Sequence, residues 1–348
     1  MNLFHIFHKT LAFTAMEYLT TGNYCFPALN SSCRKDVRSP TEYFIMYIFF
    51  SLVSVSTVFL NLLVIISISH FKQLHTPTNL FILCLAVADL LVGLIVMPVE
   101  GIRLIETCWY FGDTFCYIFP YITFAVVFVS MNNIVFISVD RYIAVCKPLR
   151  YPVIVTLRKG AVCVFLTWYV SLVYSLIVLH EHLIHPEPRR ACHGDCLIII
   201  NLPMIAFDLV FAFIVPCSIV IVLNLKIFCT AMQQAQAISL VTERVKAAKE
   251  DRMTKKSSSK AAKTIGILVT VYLLCYMPIF ASLPFQGHFT SASLVANSLL
   301  WMSLLNSCIN PIIYALFYPW FRITTKHIVT LAILDPASSY FNVYPEFS

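Results

Sequence analysis

Seven stretches of this chain stay apolar for the length of a bilayer, roughly residues 43–68, 79–100, 115–139, 161–182, 198–229, 264–285 and 293–317. A spanning helix needs about 20 mostly apolar residues, and a helix that is hydrophobic all round faces lipid or a protein core. Polar residues gather in the intervals between. The pattern therefore predicts an all-α membrane protein, a seven-transmembrane helix bundle. Two polar interruptions stand within it. Asn310-Pro311-Ile312-Ile313-Tyr314 breaks the last stretch, and Asp140-Arg141-Tyr142 closes the third. Proline removes a backbone donor and clashes with the preceding turn, so such a break survives in lipid only where neighbouring helices or water satisfy the freed groups. These interruptions predict a bundle that moves, not an inert anchor.

Composition agrees with a membrane protein: 59% hydrophobic, 12% charged, mean hydropathy +0.81, where soluble domains are about a quarter charged. The net charge of +7 is unevenly spread. Lys9, Arg34, Lys35, Arg38, Arg103, Arg189 and Arg190 fall on the side of the N-terminal tail. All other Lys and Arg, including Lys72, Arg150, Arg158, Lys159 and the run from Arg244 to Lys263, fall on the opposite side. Basic loops stay cytoplasmic, so the tail is expected outside and the C-terminus inside, as in a multi-pass plasma-membrane protein. The charge is expected to meet anionic inner-leaflet lipid. With no soluble basic domain, nucleic acid is not an expected partner. Residues 1–15 lack the basic start and cleavage site of a signal peptide, and Met1 and Met16 both stand as candidate starts.

Of the 13 cysteines, Cys25, Cys33, Cys108, Cys116, Cys192 and Cys196 fall outside, an even number in an oxidising space, and spacing alone does not pair them. None follows Tyr314, which excludes a palmitoyl anchor there. Asn30-Ser31-Ser32 is a glycosylation sequon on the outer side, making Asn30 the expected acceptor.

Along the chain the spans also carry Asn61, Asp89 in Leu85-Ala86-Val87-Ala88-Asp89, Trp168, Pro216, and Pro278 in Cys275-Tyr276-Met277-Pro278. With Asp140-Arg141-Tyr142 and the Asn310-Pro311 break, this ordered set resembles rhodopsin-type (class A) G protein-coupled receptors. A narrower set resembles the trace amine-associated receptors, a vertebrate group of mostly olfactory amine sensors. It comprises Asn30-Ser31-Ser32-Cys33, Glu106-Thr107-Cys108-Trp109-Tyr110-Phe111-Gly112, Tyr174-Ser175, Cys192-His193-Gly194-Asp195-Cys196 with Asn201, Lys260-Ala261-Ala262-Lys263-Thr264, Asn306-Ser307, and Phe317-Tyr318-Pro319-Trp320-Phe321-Arg322. The likeness covers nearly the whole chain. It implies an extracellular tail over 1–42, the bundle over 43–317, and a short cytoplasmic eighth helix, amphipathic, with a tail over 318–348. It also implies Cys116–Cys196 and Cys33–Cys192 bridges, with Cys25 and Cys108 spare and Cys25 an alternative partner for Cys192. The implied partners are an amine and a heterotrimeric G protein of Gs or Golf type, in an olfactory sensory neuron.

In most aminergic receptors a third-span aspartate meets the ligand's ammonium. Counting back 18 residues from Arg141 gives the neutral Thr123. Asp208 is the replacement candidate, eight residues before Pro216 and so about 12 Å toward the outside at the rise of an α-helix. A carboxylate facing lipid is untenable, so Asp208 is expected to face inward and hold an ammonium. The bland reading has it bonded to Arg189, Arg190 or Tyr174. Glu100 could take the second ammonium of a diamine, against the reading of a solvated charge at a helix end. Phe124, Val127, Leu209, Ala212, Tyr276, Ile279, Phe280, Leu283, Leu300 and Leu304 are the expected wall, although several of them simply pack helices. Leu304 stands where amine receptors carry tyrosine.

The resemblance further implies a switch of Asp140, Arg141, Tyr142, Pro311 and Tyr314. Asp89, Ser130, Asn306, Ser307 and Asn310 look like its allosteric sodium site, whose hard oxygens suit a small cation; no other cofactor is expected. Ser258 replaces an acid that locks Arg141 in many relatives, and Tyr276, Tyr272 and Asn224 depart from the usual relay. An enzyme is not expected: Gly-x-Ser-x-Gly, His-Glu-x-x-His and a phosphate loop are all missing from the sequence. The alternative on the same fold is a receptor for a non-amine small molecule or a peptide.

Overall fold

The computed structural model describes residues 24–180, 182, 192–196, 200–244, 249–282 and 294–344. Helix α1 (Pro40–His70) opens at Ser39, whose hydroxyl accepts from the Glu42 amide while the Glu42 carboxylate accepts from the Ser39 amide, a capping box that satisfies two orphan donors. Helix α2 runs Pro77–Glu106, α3 Asp113–Cys146 and α4 Leu157–Val178. Thr76 and Thr156 cap α2 and α4 through their hydroxyls. Helix α5 comprises Leu202–Asp208, Leu209–Ile214 and Val215–Arg244. Helices α6 (Lys249–Ser282), α7 (Leu294–Phe317) and α8 (Pro319–Val329) follow. Six of these are long and apolar enough to cross a membrane, and the apolar part of α6, Gly266–Ser282, supplies the seventh. α5 continues past the apolar stretch at 198–229 to Arg244, and α6 begins at Lys249, before the stretch at 264–285. Packing joins α6 to α7, α5 to α3, α3 to α2 and α4, and α1 to α2 and α7.

Two helices carry a π turn, Val92–Val96 in α2 and Leu209–Ile214 in α5. Each lies just before a proline, Pro98 and Pro216. Proline cannot donate to the carbonyl four residues back and collides with it, and a widened turn relieves the collision. Pro120, Pro278 and Pro311 are carried in α3, α6 and α7.

Three disulfides close the outer end: Cys25–Cys108, Cys33–Cys192 and Cys116–Cys196. Cys25 and Cys108, expected to be spare, thus bond to each other, and Cys33 takes Cys192. Backbone bonds knit the same layer: Cys33 N–H to His193 O at 2.8 Å, His193 N–H to Ser31 O at 2.7 Å, and Trp109 N–H to Gly194 O at 2.8 Å. Gly194 has φ +98°, and a Cβ there would lie 2.8 Å from Cys25 Cβ, so only glycine fits. Lys35 is ion-paired with Glu106, which also accepts from the Tyr47 hydroxyl at 2.5 Å. Burial works against the Lys35 charge, but the Glu106 hydrogen bond and Coulomb attraction outweigh it and raise its pKa. Asn30 is exposed in this layer.

At the inner end the chain after α8 folds back. His70 Nε2 lies 2.8 Å from Ser338 Oγ, Val343 N–H donates to Gln73 Oε1 at 3.0 Å, and Lys72 covers the Tyr340 ring.

Candidate ligand site and switch

Asp208 ends the first segment of α5, at the start of its π turn. Tyr174, on the last full turns of α4, donates its hydroxyl to Asp208 Oδ1 at 2.7 Å. The Tyr174 ring is buried and stacked on Phe128 of α3, with centroids 4.0 Å apart and planes at 7°. Phe207 packs on it at 5.7 Å and 22°. Among the described residues no base is in ion-pair range of Asp208, and Oδ2 has no partner there. The bond to Tyr174 is therefore present; Arg189 and Arg190 lie outside the described residues.

The expected wall divides. Ala212, Tyr276 and Phe280 are buried in the large core cluster, with Phe124, Val127, Leu209 and Ile279 packed against it. Phe280 stacks on Phe213 with centroids 4.6 Å apart. Leu304 belongs instead to a second cluster with Trp301, Val96 and Met97; Leu300 is half-buried beside it in sequence, and Leu283 lies outside the described residues. The Thr123 hydroxyl donates to the Phe119 carbonyl of its own helix at 3.0 Å, as threonine in helices commonly does. Glu100 is not a solvated helix-end charge: it is 5% exposed and pairs with Arg103 at 3.4 Å.

Deeper in the bundle Asp89 is fully buried and accepts from Ser130 at 3.1 Å, Ser307 at 2.8 Å and Asn310 at 2.8 Å. The side-chain oxygens of Asn306 and Asn310 are buried with no protein partner. One carboxylate, two hydroxyls and two idle amide oxygens fit a small hard cation. Among the described residues there is no group of three or more His, Cys, Asp or Glu placed to hold a metal.

At the inner end Arg141 donates to Asp140 Oδ2 at 2.8 and 2.5 Å. Thr78 donates to the same oxygen at 2.8 Å, and Tyr151 donates to Oδ1 at 2.9 Å. Pro311 is buried, as is Tyr314, whose hydroxyl has no partner, while Tyr142 is half-buried. Asn224 donates to Ser138 at 3.3 Å, tying α5 to α3. Tyr272 lies 4.0 Å from Cys217 Sγ through its hydroxyl. The side chain of Ser258 is outside the description. Thr78, Tyr151 and Arg103 are participants that reading the sequence did not single out. Arg103 had a signal, its spacing of three from Glu100 on one helix; the other two act across helices and had none.

The family described as the 7 transmembrane receptor (rhodopsin family) matches residues 60–314. The chain is 38% identical over 340 residues to trace amine-associated receptor 13c of Danio rerio, covering 95% of this chain and 98% of that protein. It is 40% identical over 335 residues to trace amine-associated receptor 7a of Rattus norvegicus, 92% of each. To trace amine-associated receptor 6 of Homo sapiens it is 38% identical over 332 residues, 92% of this chain and 96% of that one.

Proposed function

Because the chain belongs to the rhodopsin family of seven-transmembrane receptors, among the trace amine-associated receptors, we propose that it senses amines, with the ligand's ammonium held by Asp208. The observation that carries this reading is a half-buried carboxylate on α5 whose only hydrogen bond among the described residues comes from a neutral hydroxyl. A carboxylate at membrane depth is costly unless a charge meets it, and an ammonium at about 4 Å supplies about 4 kcal/mol of Coulomb attraction at an effective dielectric of 20, part of it offset by desolvation. Thr123 offers no charge, and Glu100 already has Arg103, so one ammonium is the natural load and a monoamine the favoured class. Phe124, Val127, Leu209, Ala212, Tyr276, Ile279 and Phe280 supply the apolar wall.

Binding in the outer half reaches the inner end through the core of α3, α6 and α7, where release of Arg141 from Asp140 exposes it to a heterotrimeric G protein of Gs or Golf type. Asp89, Ser130, Asn306, Ser307 and Asn310 would hold a sodium ion, which supplies the positive charge that the buried carboxylate lacks. The receptor works at the plasma membrane with its tail outside, in an olfactory sensory neuron. A panel of mono-, di- and polyamines in a cAMP assay tests the reading. Asp208→Asn is expected to raise the EC50 of active amines by about 10- to 100-fold, the loss of a charge-assisted bond, whereas Glu100→Gln changes it far less. A potent neutral agonist indifferent to Asp208→Asn would overturn the amine assignment.

A further inference from the structure

After α8 the chain turns at Leu331, which has φ +60°, and runs back beside the α1–α2 turn, Lys72–Leu74. Asp335 shapes the return, its Oδ1 accepting the Ala337 amide at 2.9 Å. Chain ends are poorly ordered unless tied down, and four contacts tie residues 338–343. Ser338 is buried, and its one proton goes to the Ile333 carbonyl at 2.8 Å. The His70 ring, 2.8 Å from the same hydroxyl, must therefore be the donor to it. Lys72 lies over the Tyr340 ring, 4.0 Å from its centroid, and donates to its hydroxyl. Phe341 stacks on His327 of α8 with centroids 4.5 Å apart, and His327 meets Phe71 at 5.7 Å. Val343 is fully buried in the core cluster that holds Phe71 and Leu74, and its amide donates to Gln73 Oε1 at 3.0 Å.

The turn gripped in this way leads to Arg141. The Leu74 carbonyl accepts from Asn79 Nδ2 at 2.9 Å, in the first turn of α2. Thr78, beside Asn79, donates to Asp140 Oδ2 at 2.8 Å and accepts from Arg141. The start of α2 is thus bonded on one side to the turn that the tail holds, and on the other to the Asp140–Arg141 pair.

From this geometry we propose that residues 338–343 form a strap, an intramolecular brake that holds the α1–α2 turn and, through Thr78, keeps Arg141 on Asp140. The inference rests on the reading of Arg141 release as the signalling step and adds a regulator that this reading does not contain. Undocking the strap frees the turn, loosens Thr78 and shifts the resting population toward the released state. Signalling without ligand then rises.

The test undocks the strap from the tail side. Val343→Asp places a charge where the side chain has no exposure, and Tyr340→Ala removes an exposed ring that the bundle does not need. In nanodisc-embedded receptor, Val343→Asp is expected to speed amide exchange of residues 338–343 and of Asn79 and Leu80 by about tenfold, as the docked unit opens. Tyr340→Ala is expected to do so by less. Basal cAMP per surface receptor is expected to rise by about fivefold in Val343→Asp, the low end of coupling between two sites. That rise is expected to vanish in a Thr78→Ala background. If Val343→Asp fails to reach the surface, Tyr340→Ala and a stop after Leu334 carry the test. Wild-type residues 338–343 exchanging as fast as an unstructured peptide would overturn the proposal. So would Asn79 and Leu80 exchange unchanged by undocking, or a rise that persists in Thr78→Ala. Asp140→Asn separates the two levels. If it raises basal cAMP and undocking does not, the strap is no brake and the Arg141 reading stands. If neither raises it, the Arg141 reading fails and the brake falls with it.

Discussion

The three outer disulfides form one covalent ring, and its size sets what removing a bridge should cost. The ring runs eight residues from Cys25 to Cys33, crosses to Cys192, runs four to Cys196, crosses to Cys116, and returns eight residues to Cys108 and so to Cys25. Taken alone, Cys25–Cys108 has a sequence separation of 83, which the chain-entropy relation would value at about 4.5 kcal/mol. With the other two bridges closed it seals a ring of only about 20 residues, worth about 3 kcal/mol by the same relation. The smaller figure is the relevant one, since the Cys33–Cys192 bridge still tethers the tail when Cys25–Cys108 is absent. Replacing both Cys25 and Cys108 by serine is therefore expected to lower amide-exchange protection of Cys33 and His193 by roughly a hundredfold in nanodisc-embedded receptor, as local opening becomes accessible. Those amides bond His193 O and Ser31 O, so they report docking of the tail directly. Protection unchanged within a few-fold would show that hydrogen bonds hold the layer without the bridge, and would refute the ring argument.

Two further outcomes test the deeper sites. Tyr151→Phe removes the donor at 2.9 Å from Asp140 Oδ1 and leaves the carboxylate under-satisfied by about 1.5 kcal/mol; basal cAMP per surface receptor is expected to rise by up to about tenfold, and an unchanged baseline would remove Tyr151 from the resting contact. In wild type, agonist potency is expected to fall as sodium replaces a bulky organic cation at constant ionic strength, and Asp89→Asn is expected to abolish that dependence; equal sodium sensitivity in both receptors would exclude Asp89 as the anionic ligand.

Spans and the proline breaks were legible in the sequence because each depends on local composition. Apolar length marks a helix in lipid whatever it packs against, and the marker residues of each span sit at fixed intervals. The π turns were not legible from periodicity, since a widened turn changes no residue type, although Pro98 and Pro216 mark where each is needed. Pairings across helices were legible only in part. Tyr174 appeared as one of several partners for Asp208, because a tyrosine on α4 and an acid on α5 share no interval. The Cys25–Cys108 bridge was missed for the same reason: it depends on how the tail lies over the loops. The fold-back of residues after Val329 onto the α1–α2 turn rests on scattered contacts such as Val343 with Gln73, which leave no periodic trace.

Four acids of the bundle, Asp89, Glu100, Asp140 and Asp208, separate into two kinds. Asp140 and Glu100 each have an arginine on their own helix, Arg141 and Arg103, and are neutralised by the chain itself. Asp89 and Asp208 have only neutral donors among the described residues, three to the first and one to the second. Hydrogen bonds from hydroxyls and amides lower the cost of a buried carboxylate but leave its charge uncompensated. On the proposed reading, completion of these two sites calls for a cation or a proton beyond the described residues, and depth decides which. Asp89 lies among small oxygen groups in the middle of the bundle, which suits the sodium ion proposed there. Asp208, bonded to the Tyr174 hydroxyl beside the Phe207 ring, is the proposed ammonium site. Tyr276 is buried on α6 in the same core cluster as Ala212 and Phe280, so on the proposed assignment a ligand that moved Tyr276 would disturb the packing of that cluster.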